Sequence, residues 1–126
     1  MRLVVDTAVL IDHLRGRAAA VDRLVRAVRE GDELWSVSVV RTEVLVGMRP
    51  GESAPTHQLL DQLRWLDVDP ELADRAAEIG RPYLRSHPGV DTVDYLLAAA
   101  VEALGAELLT MNTRHFPMLP GLTAAY

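Results

Sequence analysis

The sequence predicts a single α/β domain with a parallel sheet flanked by helices on both faces, and three observations carry that expectation. Leu3-Val4-Val5 is an unbroken aliphatic run with no polar alternation, as a strand buried on both faces requires. Apolar spacing then switches to helical period at Val9, Leu10 and Leu14, and the exchange of short strand for helix recurs along the chain. Size is the third: 126 residues fit one domain, residues 1–126, that buries about two-thirds of its unfolded surface and needs no covalent staple.

The opening strand ends at Asp6-Thr7, and the short helix after it is stopped by Gly16. Val21, Leu24, Val25 and Val28 form an apolar stripe among Asp22, Arg23, Arg26, Arg29 and Glu30, the pattern of an amphipathic helix closed by Gly31. Leu34–Val37 reads as a second strand, and Ser38 is placed to cap a helix running from Val39 to Gly47. Arg49-Pro50-Gly51 ends it, and Ser53 with Pro55 in the first turn opens another helix through Leu63. Trp65–Val68 alternates as a short strand. Asp69-Pro70 then pairs a cap with a first-turn proline, and Leu72, Ala76, Ile79 and Tyr83 continue at helical spacing, interrupted by Gly80 and Pro82. Asp91 and Asp94 open the Ala-rich helix ending at Leu104-Gly105, Leu108–Thr110 is a fourth strand, and Leu122–Ala124 is a candidate fifth strand at an edge. The sheet should therefore have four to five strands.

All 13 basic residues are Arg, against 18 acidic ones, for a net charge of −5. Such a chain attracts phosphate poorly at long range, which argues against general coating of nucleic acid but leaves local binding open. The absence of cysteine removes disulfides, thiol nucleophiles and zinc–thiolate sites. No apolar run reaches the roughly 20 residues of a membrane span, and Asp6 interrupts any signal-peptide core, so a cytoplasmic protein is expected.

Asp6 sits where a strand ends, and in open parallel sheets ligands bind at the carboxyl ends of strands. Asp is equally a common N-cap, worth about 1 kcal/mol. Glu43 falls on the helical stripe of Val40, Val44 and Gly47, an expensive place for an unpaired charge unless its stem reaches water. Asp91 and Asp94 suit a helix start, where capping and the helix dipole favour negative charge by about 0.3–1 kcal/mol. If Asp6, Glu43 and Asp94 converge at about 5 Å, each pair repels by about 3 kcal/mol at an effective dielectric near 20, more than capping returns. Convergence then calls for a cation, and an oxygen-only donor set suits Mg²⁺ or Mn²⁺.

Asp6 in Val-Val-Asp-Thr, Glu43 in Arg-Thr-Glu-Val, Asp94 in Val-Asp-Tyr-Leu-Leu-Ala-Ala-Ala and the segment Leu-Leu-Thr-Met-Asn-Thr-Arg-His-Phe together resemble a PIN-domain ribonuclease, more narrowly the VapC toxins of type II toxin–antitoxin systems. The resemblance covers essentially the whole chain. It implies a three-layer α/β/α sandwich and a Mg²⁺- or Mn²⁺-dependent endoribonuclease, commonly a homodimer, restrained by a cognate antitoxin. By matching motif, Asp6, Glu43 and Asp94 would be the catalytic, metal-holding acids, with Asp91 as a further ligand in reserve. Many members carry another acid after the fourth strand, where this chain has Asn112, which can coordinate through its carbonyl but brings no charge. Thr7 and Thr110 are candidates for positioning water or phosphate, and Arg114 for contacting RNA. His13 and His115 receive no role.

Two other readings compete. A phosphoacceptor receiver domain also collects acids at strand ends but needs a Lys after a late strand, and this chain has none. A PIN-fold binding protein without catalysis is compatible with Asn112, although an unused acid cluster would cost stability. The aliphatic excess in the helices after Ala18 and Glu43 further suggests an apolar groove for a folding-on-binding antitoxin tail.

Overall fold

A computed structural model describes residues 1–126, and its sheet has four strands, all parallel. In chain order the elements are β1 (Arg2–Val5), α1 (Thr7–Leu14), α2 (Ala18–Arg29), β2 (Glu33–Val37), α3 (Ser38–Val46), α4 (Ser53–Leu60), β3 (Arg64–Leu66), α5 (Pro70–Gly80), α6 (Thr92–Leu104) and β4 (Glu107–Leu109). Single 3₁₀ turns occupy Arg81–Tyr83 and Thr113–His115. The sheet order is β3-β2-β1-β4, so the first strand made lies inside, between the second and the last. No helix is long and apolar enough to cross a membrane.

The internal place of β1 follows from its composition. Leu3, Val4 and Val5 are all fully buried, which requires apolar cover on both faces of the sheet. Cover comes from α6 lying across β1 and β2 with α5 packed on it, and from α2 and α3 against β2 with α1 beside them. The helix α6 is buried almost continuously from Asp94 to Ala100, because its alanines allow close approach to the sheet while α5 closes the outer side. Two contacts seat α5 on α6. Arg75 forks onto Glu102 with two bonds of 2.6 Å, and Gly80 lies under the Tyr95 ring so closely that a Cβ there would stand 2.6 Å from Tyr95 Cδ2.

Three expectations need correction. Leu122–Ala124 forms no strand; the residue after it, Ala125, donates its backbone N–H to Thr110 O at 2.9 Å. Ser38 does not cap α3. It is the first helical residue, Val37 holds the N-cap position without a side-chain bond, and β2 passes into α3 with no linking residue. The helix α4 ends at Leu60, not Leu63, and β3 starts at Arg64, because Leu63 is drawn into the core and Trp65 Nε1 bonds back to Leu60 O at 3.0 Å.

Candidate active site

The carboxyl ends of β1 and β4 lie side by side, with Val5 opposite Leu109 and the Asp6 amide donating to Leu109 O at 3.0 Å. Sheet pairing thus delivers the next residue of each strand, Asp6 and Thr110, to the same place. Asp6 is both of the things its position allows. As N-cap of α1 its Oδ1 accepts from the Thr7 amide at 2.7 Å, and its Oδ2 accepts from the Thr110 hydroxyl at 2.7 Å. It is 7% exposed, and burial raises its carboxyl pKa; the Thr110 and Thr7 bonds and nearby His115 oppose the rise, and the charge of Asp91 adds to it.

Asp94, also 7% exposed, is fixed by the first turn of α6. Asp91 and Asp94 form a reciprocal capping box, with the Asp94 amide donating to Asp91 Oδ1 at 3.1 Å and the Asp91 amide to Asp94 Oδ2 at 3.0 Å. Burial pushes the Asp94 carboxyl up to about 6, opposed by the Asp91 amide and by His115, while the charges of Asp91 and Asp6 raise it. Asp6 and Asp94 are therefore two desolvated acids within reach of each other's field. Asp91 is exposed and acts as the cap.

Glu43 differs from this pair in burial. It is exposed, not held in the apolar stripe of α3, because its long stem carries the carboxylate to the helix edge. It is still tied to the same end of the sheet, since Thr7 Oγ1 donates to Glu43 Oε1 at 2.7 Å. No three acidic or imidazole groups form a ready cage for an ion; Asp6 and Asp94 are the buried acids, and Glu43 is joined to Asp6 through Thr7, whose amide bonds Asp6 and whose hydroxyl bonds Glu43.

The loop after β4 completes the site. Thr110 Oγ1, while donating to Asp6, accepts from the Asn112 amide at 3.0 Å, and Phe116 is 2% exposed and anchors the 3₁₀ turn in the core. Between these fixed points His115 lies half-exposed at the rim, with Nδ1 3.3 Å from Asp94 Oδ2. Asn112 contributes its backbone here, its side chain being exposed, and Arg114 is exposed as well. His115 is the residue that sequence reasoning missed. Its signal was adjacency to the one buried-looking aromatic in a polar loop that must sit at the carboxyl edge of the sheet.

Chemically the pair offers hard oxygen donors in a dry setting. Each Asp6 oxygen spends one lone pair on a fixed donor and keeps another. A divalent cation would relieve both the burial cost and the mutual repulsion, and Mg²⁺ is ordinarily held through one or two carboxylates, with waters and substrate phosphates filling the remaining positions. The donor set fits such an ion without a complete protein cage.

Comparison with known proteins follows the same line. The PIN domain family matches residues 3–121. Ribonuclease VapC19 of Mycobacterium tuberculosis is 39% identical over 123 residues, covering 98% of both chains. Ribonuclease VapC10 of the same organism is 40% identical over 121 residues, covering 95% of this chain and 90% of its own. Among solved structures, a toxin–antitoxin complex from Klebsiella pneumoniae has a chain of the same fold, with a TM-score of 0.76 at 23% identity and 98% of both chains covered. DNA-bound VapBC from Salmonella typhimurium gives 0.78 at 19% identity, covering 98% of this chain and 96% of that one. With the family match spanning nearly all of the chain and both relatives aligned almost end to end, this protein belongs to the PIN-domain family, in the group of the VapC ribonucleases.

Proposed function

We propose that this protein is the toxin of a type II toxin–antitoxin pair, an endoribonuclease that hydrolyses RNA phosphodiester bonds with Mg²⁺ or Mn²⁺. The observation that carries the proposal is the desolvated pair Asp6 and Asp94 at the carboxyl edge of the sheet, both with raised pKa. Two buried acids within each other's field are unfavourable in a metal-free protein and favourable around a cation. Membership of the VapC group supports RNA as the substrate.

Asp6 and Asp94 would hold the ion, with Glu43 as the third acid of the set. When bound, such an ion neutralises the scissile phosphate and acidifies a coordinated water. The side chains do the rest of the work. Thr110 and the Thr7 amide fix Asp6 in one orientation, and the capping box with Asp91 does the same for Asp94. Glu43, held through Oε1 by Thr7, keeps Oε2 free to orient an attacking water. Exposed Arg114 lies one residue from His115 and is a contact for RNA phosphate.

The antitoxin part of the proposal draws on the toxin–antitoxin complexes among the fold relatives and on one surface. A groove of about 380 Å³ lined by His13, Leu24, Val25, Val28, Leu34 and Leu59 leaves Val25 39% and Val28 55% exposed on α2, apolar area suited to the folding tail of a partner. A homodimer belongs to the same proposal, and Val46, 82% exposed near the end of α3, is apolar surface available for it.

The test is cleavage of single-stranded RNA by the purified protein with EDTA, Mg²⁺ or Mn²⁺, alongside Asp6→Asn, Asp94→Asn and Glu43→Gln. Metal-dependent internal cleavage that disappears in both Asp variants is the expected result. Cleavage that survives EDTA, or that both Asp variants retain, overturns the proposal. RNA binding without cleavage at any metal concentration would favour a PIN-fold binding protein.

A further inference from the structure

The segment beyond the last 3₁₀ turn does something that neither core packing nor the acid pair accounts for. From Ala125, bonded through its amide to Thr110 O, the chain turns toward α1. There the Tyr126 hydroxyl donates to Asp12 Oδ2 at 2.6 Å, and the same oxygen accepts from Arg17 Nη1 at 3.1 Å. The Arg17 guanidinium also covers the Tyr126 ring, 5.2 Å from its centroid. Asp12 lies on α1, the helix that Asp6 caps, and the Thr110 hydroxyl donates a hydrogen bond to Asp6. Covalent and hydrogen-bonded links therefore close a ring through Asp6, α1, Asp12, Tyr126, Ala125 and Thr110, back to Asp6.

We propose that Tyr126 is a positioning residue for the Asp6 carboxylate, clasping α1 to the end of β4 so that the Thr110 hydroxyl stays aimed at Asp6 Oδ2. The inference rests on the reading of Asp6 as a metal-holding acid. Asp6 receives its two donors from different elements, Thr7 on α1 and Thr110 after β4. The orientation of its free lone pairs thus depends on how those two elements are held together. Sheet bonds tie β1 to β4 only as far as Leu109. Beyond that point Thr110 has the Ala125 amide on its carbonyl, and Tyr126 anchors the residue after that amide. Outer partners that orient a ligand typically change metal affinity by about 10–100-fold, and a residue acting through Thr110 belongs at the lower end of that range.

Tyr126→Phe keeps the ring and its stacking on Arg17 and removes only the hydroxyl, so the fold is retained. In the RNA-free protein, Mn²⁺ titration is expected to give an affinity about tenfold weaker than wild type. In RNA cleavage, kcat falls in step while KM is unchanged. Amide exchange at Ala125 in metal-free protein is faster, and exchange in the middle of α6 is not. Asp12→Ala reproduces these changes, and Asp12→Asn, which keeps an acceptor for the Tyr126 hydroxyl, recovers most of the loss. A Tyr126→Phe protein with wild-type Mn²⁺ affinity and kcat, while Asp6→Asn loses both, overturns the positioning role and leaves Tyr126 as a packing residue. Wild-type behaviour of Asp6→Asn instead removes the acid-site reading beneath the proposal.

Discussion

Thr110 Oγ1 stands 2.7 Å from Asp6 Oδ2 across a sequence separation of 104 residues, donating to that carboxylate while accepting the Asn112 amide at 3.0 Å. One buried hydroxyl thus serves the first strand of the chain and the loop after the last.

Replacing it tests the arrangement directly. Thr110→Val keeps the shape and removes both bonds, leaving a buried carboxylate oxygen and a backbone amide each short of a partner. A loss of about 1–3 kcal/mol is expected by urea denaturation. The Asp6 pKa should also climb, because the Thr110 bond is the largest influence holding it down against burial. Thr110→Ser should restore both. Carboxyl titration by NMR that finds Asp6 unmoved in Thr110→Val would contradict the geometry.

Metal should stabilise the RNA-free protein through the same pair. At a hundredfold excess over Kd, a ligand that binds only the folded state adds about 2.7 kcal/mol. Thermal melting of wild type is therefore expected to rise with Mg²⁺ or Mn²⁺, and Asp6→Asn and Asp94→Asn should show little response. Without metal, Asp94→Asn should melt at or above wild type, because the amide keeps an acceptor for the Asp91 N–H and removes a buried charge.

The pH dependence has a definite sign. A carboxyl raised from 3.8 to about 6 on folding binds its proton more tightly in the native state, so between those values stability falls as pH rises. In EDTA, the Asp94 contribution is fully present below about 3.8 and lost by the time pH passes 6. His13, whose pKa burial lowers from 6.5, works in the opposite direction, losing its contribution as pH falls. Glu33 and Glu102, held below 4.5 first by bonds from Trp35 and Arg75, lose theirs only below that value. Subtracting the melting curve of Asp94→Asn from that of wild type between pH 5 and 7 cancels groups distant from Asp94, such as His13, Glu33 and Glu102, and leaves Asp94 with the neighbours whose charges it feels, Asp91, His115 and Asp6. The difference should move against wild type as pH rises, and a flat difference would place Asp94 in water.

Gly80→Ala should destabilise by about 1–3 kcal/mol, since its methyl group meets the Tyr95 ring and overpacking in a close helix contact forces one element to move. Urea denaturation measures this. Pairing it with Tyr95→Leu should recover part of the loss, whereas additive losses would mean that the two residues do not share the contact.

How far the chain could be read beforehand depended on the kind of information each feature needs. β1 was legible because Leu3-Val4-Val5 has no polar alternation, and α6 because its Leu- and Ala-rich run, interrupted only by Val101 and Glu102, ends at Gly105. Asp6 at a strand end followed from the change of period at that residue. The exposure of Glu43 was not legible, because periodicity places a Cβ on a face but does not say whether a two-methylene stem turns inward or out. Leu122–Ala124 has strand-like residues, yet lies beside a β4 of only three residues. The position of His115 depends on Phe116 being buried in the core, for which the local sequence offers only one aromatic in a polar loop, without the direction in which its neighbour points. Nor does alternation of strand and helix specify that β1 lies between β2 and β4.

That strand order has a consequence for synthesis. A nascent chain can pair β1 with β2 early, but the other side of β1 stays open until β4 and the Thr110 loop have been made. At about 5–20 residues per second, the 104 residues between Asp6 and Thr110 take roughly 5–20 s to translate. Throughout that interval Asp6 lacks one of its two donors, and until α6 is made it also lacks Asp94. The acid pair and the hydroxyl that orients it are therefore assembled only once α6 and the loop after β4 have been made.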